Sequence, residues 1–138
     1  MPPKLFTIAE ADRLIPDLQP LMRRLVEQRQ ALREHERAIE AFRDAASKSG
    51  GGIPGGRVGQ ARAEAERLGA EIAEGIRQIE SWGCLVKDLD QGLVDFLWRR
   101  GDETAFLCWR LGELSIRHWH GLREGFAGRK PVEPSGSH

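Results

Sequence analysis

His118-Trp119-His120 sets two imidazoles two residues apart, and on a β-strand residues i and i+2 project from the same face. Both rings could then reach one metal ion, with Glu113, Asp88 or Asp90 as the carboxylate third ligand. The plainer role is a packed Trp119 between two hydrogen-bonded histidines at a sheet edge, because two ligands without a fixed third do not define a site. Asp95, Cys108 and Arg110 form a second cluster, a carboxylate and a guanidinium flanking a thiol, suited to holding an anion or tuning a nucleophile. Its plainer role is a structural ion pair beside a small buried cysteine. Lys87, Asp88 and Asp90 precede Gly92, where aspartates commonly close Asx turns and could also meet a substrate. Arg117, Arg123, Arg129 and Lys130 with Trp119 and Phe126 could stack on a nucleotide, but Glu113 and Glu124 dilute that patch.

None of the familiar catalytic patterns supports these clusters. There is no Gly-x-Ser-x-Gly, no Cys-x-x-Cys and no His-Glu-x-x-His. The glycines between Gly50 and Gly56 lack the Lys-Ser/Thr ending and the preceding strand of a phosphate-binding loop. The residues therefore lean away from an enzyme, name no catalytic group and specify no cofactor.

The clusters lie after Ser81, where the periodicity changes. Before it, Thr7 and Glu10 form a capping box that starts a helix at residue 8, with Leu5 or Phe6 as a staple. Pro16 and Pro20 predict a short helix and a kink ahead of the main one. Leu18, Leu21, Leu25, Gln28, Leu32, His35, Ile39 and Phe42 then follow coiled-coil spacing, with Gln28 and His35 as polar members that set register. A second seam, Val58, Ala61, Ala65, Leu68, Ile72, Gly75, Ile79 and Trp82, makes residues 8–81 an antiparallel helical hairpin with a flexible tip at 47–57. Gly69 and Gly75 lower helix propensity, which predicts close contact at both.

After Ser81 the period is two. Cys84–Lys87, Leu93–Arg99 and Glu103–Arg110 read as three antiparallel strands, with Gly101-Asp102 as a primed hairpin turn. That turn sets Arg100 opposite Glu103, Trp98 opposite Ala105, Phe96 opposite Leu107 and Val94 opposite Trp109, an apolar face that must be core. Asp95, Cys108 and Arg110 fall on the other, mixed face. The expected fold is a single α+β domain: the long antiparallel hairpin, a small three-stranded antiparallel sheet with a short C-terminal segment over residues 82–130, and a disordered tail at 131–138.

Val86-Lys87-Asp88-Leu89-Asp90, Gly92-Leu93-Val94-Asp95-Phe96, Leu107-Cys108-Trp109-Arg110, Gly112-Glu113, Trp119-His120 and Gly125-Phe126-Ala127-Gly128-Arg129 stand in the order found in the bacterial domain-of-unknown-function family 2203. Phe6-Thr7-Ile8-Ala9-Glu10-Ala11 and Leu14-Ile15-Pro16 also resemble that family, so the resemblance spans nearly the whole chain. Leu97-Trp98 is bulkier than expected for it. The resemblance implies no reaction, substrate or cofactor.

Across 138 residues, 21 basic side chains balance 21 acidic ones. Nucleic acid is therefore an unlikely partner, since duplex affinity comes largely from neutralising phosphates. No apolar run approaches a membrane span and no signal peptide is seen at Met1, which points to the cytoplasm, where Cys84 and Cys108 stay free thiols. The preferred expectation is a non-enzymatic interaction module whose protruding hairpin makes a homodimer or meets another helical partner. The alternative is a small-molecule or metal-binding protein using the mixed sheet face, with Asp95 and Arg110 holding a polar ligand and His118 and His120 contributing.

Overall fold

The computed structural model describes residues 4–49 and 55–132. Thr7 and Glu10 cap the first helix reciprocally: the Glu10 amide donates to Thr7 Oγ1 at 3.1 Å and the Thr7 amide to Glu10 Oε1 at 2.9 Å. Helix α1 (Ile8–Ser49) then runs through Pro16 and Pro20, so the expected break into two helices is corrected. A proline inside a helix costs about 3 kcal/mol. Burial outweighs that here, because Ala11, Ile15, Leu18, Met22 and Leu25 recur on one face and all enter the core.

Helix α2 (Gly55–Ser81) returns antiparallel along α1, with Gln28 Nε2 donating to Glu71 Oε1 at 2.8 Å across the pair. Both helices extend into the segment expected at 47–57 to be the flexible tip, correcting its ends to helix; its residues 50–54 lie outside the described residues. The tail expected at 131–138 is corrected at its start, since Pro131 pairs in the sheet and the Val132 amide donates to Arg117 O at 2.8 Å; residues 133–138 lie outside the described residues. Gly75 is a close contact as expected, since a Cβ there would collide with Leu25 Cδ2; Gly69 is not, having nothing within 4 Å of that position.

The sheet has six strands of mixed direction rather than three antiparallel ones: β1 (Leu5–Phe6), β2 (Leu85–Asp88), β3 (Leu93–Arg100), β4 (Glu103–Arg110), β5 (His118–Gly121) and β6 (Lys130–Pro131). Its order is β1-β3-β4-β5-β6, and β2 also pairs with β3. β1 runs parallel to β3 beside Leu97 and Trp98, while β2 runs antiparallel along the other half of the same strand. A two-residue strand carries no alternation to read, and Phe6 joins the core, meeting Phe96 edge-on at 5.0 Å. β3 and β4 show the register that the turn predicts, with Gly101 at φ +62° supplying the conformation the hairpin requires.

The inner face, Val94, Phe96, Trp98, Ala105, Leu107 and Trp109, packs with the buried stripe of α1 and with Ile79 in one core. Side chains on α1 also anchor the connection from β4 to β5. Gln19 Nε2 donates to Glu113 O at 2.9 Å, and the Ile116 amide donates to Asp12 Oδ1 at 2.7 Å. These bonds fix where β5 begins and therefore which of its side chains face outward.

Candidate functional site

β5 pairs with β4 so that His118 lies opposite Cys108 and His120 opposite Phe106. The outer face of the sheet therefore gathers Asp95 from β3, Cys108 from β4 and both histidines from β5. Asp95 and His120 are 2% and 3% exposed, buried beside Cys108 on a face that also carries Leu93 and Phe106. His120 Nε2 lies 2.9 Å from Asp95 Oδ2, and His120 Nδ1 lies 2.9 Å from the Gly121 carbonyl. A carbonyl only accepts, so Nδ1 carries a proton, and a second proton lies between Nε2 and Asp95.

Burial raises the Asp95 carboxyl above the usual carboxylate range, against the pull of His120 and Lys87. Cys108 hydrogen-bonds to Asp95, and burial together with that neighbouring carboxylate pushes its thiol up to about 11. At neutral pH the sulfur is thus a protonated thiol and not a nucleophile. Asp95, Cys108 and His120 each offer one ligand atom, and these atoms lie within 4.8 Å of one another. The trio forms part of the lining of a hollow of about 360 Å³, walled by Phe106, Leu122 and Phe126 and edged by Lys87 and Asp88. A hollow of about 410 Å³ beside β1 offers only Glu10 and Arg99 as charged groups, and Glu10 is engaged in the helix cap.

The residues singled out by sequence are redistributed. Asp95 and Cys108 share a site as expected, but Arg110 does not complete it: its side chain is turned to the Phe126 ring, with Cζ 5.5 Å from the centroid, and His120 is the partner of Asp95. His118 and His120 share a face yet part company, because Glu113 lies 3.6 Å from His118 Nδ1 and is held by Arg129 at 2.5 Å and by the Arg110 amide at 2.7 Å. Asp88 closes an Asx turn, accepting from the Asp90 amide at 2.8 Å. Asp90 turns away to Arg29 and Arg33 of α1 at 3.7 and 2.5 Å. Lys87 stays beside the hollow, its Nζ 4.7 Å from the Phe106 ring centroid. Sequence reasoning set His120 on the same mixed face as Asp95 but gave Asp95 Arg110 as its partner; the i, i+2 spacing on a strand beside β4 was the signal that could have paired His120 with it.

These observations define an α+β protein in which a helical hairpin covers one face of a six-stranded mixed sheet and a hollow with a polar floor opens on the other. The chain belongs to the family described as "Uncharacterized conserved protein (DUF2203)", whose model matches residues 4–132. No curated protein and no solved structure matches it. No helix among the described residues is long and apolar enough to cross a membrane.

Proposed function

We propose that this protein binds a small ligand in the hollow on the outer face of its sheet. The observation that carries this reading is the Asp95–His120 pair, buried at the floor of a space that the rest of the chain leaves open. Taking two ionisable groups out of water costs several kcal/mol per ion, a cost that packing alone does not require and a ligand-recognition site does. The walls suit an apolar ligand body, and the floor offers a carboxyl, an imidazole and a thiol to its polar end. Native mass spectrometry of protein purified without chelator is expected to show a bound species on the 15.5 kDa chain, lost on Phe126→Ala. Bare chain throughout, with no stabilising compound in a thermal-shift screen, would overturn this reading.

A second reading takes the outer half of the helical hairpin as the surface for a second copy of the chain. What favours it is that, among the described residues, α1 has none buried after Leu25, so Leu32, Ile39 and Phe42 are only half covered by α2.

A further inference from the structure

We infer that Asp95, Cys108 and His120 form a three-ligand site for a borderline transition-metal ion of the zinc class, with its fourth position open to the hollow. The inference rests on the ligand-binding reading and names the ligand chemistry of the same floor. The first observation is the donor set. One carboxylate oxygen, one sulfur and one imidazole nitrogen come from three adjacent strands, with ligand atoms within 4.8 Å of one another. Calcium and magnesium take oxygen ligands, whereas a mixed S, N, O set suits zinc, and three protein ligands with a free position are the arrangement of reactive zinc sites.

The second observation is independent of the cluster. His120 Nδ1 donates to the Gly121 carbonyl at 2.9 Å, which fixes the ring and turns Nε2 toward Asp95, 2.9 Å away. A metal-binding histidine almost always has its other nitrogen tied in this way. On binding, the metal takes the place of the proton between Asp95 and His120 and of the thiol proton of Cys108, both of which pass to solvent.

Cobalt(II) titration of chelator-stripped protein tests the site, because a cobalt–thiolate bond gives a near-ultraviolet charge-transfer band. One cobalt per chain is expected, with the band retained in Cys84→Ser and lost in Cys108→Ser, and with at least tenfold weaker binding in His120→Asn. X-ray absorption of zinc-loaded wild type is expected to show one sulfur at about 2.3 Å, a measurement that needs no variant to fold. No band, a band lost with Cys84, or a zinc shell without sulfur would each overturn the site. A bound organic molecule in protein that takes no cobalt would overturn the metal and leave the ligand-binding reading standing; bare chain and no cobalt would overturn both.

Discussion

Asp95 and His120 place a carboxyl and an imidazole where neither meets bulk water, so each is stable only with the other present. Removing one partner of such a buried pair costs about 3–5 kcal/mol. Asp95→Ala and His120→Ala should each lose stability in that range, and the double variant much less than their sum, as read by urea denaturation. Arg110→Lys should stay within about 0.5 kcal/mol of wild type, because Arg110 is exposed and makes no pair with Asp95. Additive losses for Asp95 and His120 would mean that the 2.9 Å bond is not formed in solution. The outer face of β3 and β4 was legible because alternation and one turn fix both strands, and so Asp95 was correctly set beside Cys108. The partner of Asp95 was not legible. It comes from β5, whose register depends on Asp12 and Gln19 of α1 holding the intervening connection, a contact that no local pattern encodes.

At the scale of elements, the two helices were legible from long apolar periodicity, and the details lost were those that packing decides. Pro16 and Pro20 signal a break by local rules, yet the buried stripe from Ala11 to Leu25 keeps α1 continuous. β1 and β6 are two residues each, too short for any period, and β1 is held by pairing to β3. The glycines of α2 separate propensity from packing within one helix. Gly69 faces open space, so Gly69→Ala should add about 1 kcal/mol of stability through helix propensity alone. Gly75 sits against Leu25, whose Cγ would lie 3.1 Å from an added Cβ in a fully buried position. Overpacking there costs about 1–3 kcal/mol, which more than offsets the same propensity gain. Thermal melts should therefore rank Gly69→Ala above wild type and Gly75→Ala below it; the reverse order would mean that the helices do not meet at Leu25.

At the scale of the molecule, the hairpin divides into a base that shares the core of the sheet and an outer half that shares it with nothing else described. Two packed helices shield one stripe of each other, and beyond Leu25 that shielding is partial on α1 even where Ala61 and Leu68 of α2 are buried. A second hairpin laid against the first would close the seam of Leu32, Ile39 and Phe42 in a four-helix arrangement, the usual way in which such stripes are buried. The oligomer reading therefore predicts a light-scattering mass near twice 15.5 kDa at low micromolar concentration. It also predicts that amide exchange in α1 beyond Gln28 slows as concentration rises, because local opening is governed by how much apolar surface each segment buries. Ile39→Glu should return the mass to that of one chain while Asp95, Cys108 and His120, on the far side of the sheet, keep their ligand. A one-chain mass with rapid, concentration-independent exchange of the outer hairpin would remove the oligomer and leave the hollow as the chain's functional feature, since the two surfaces share no residue.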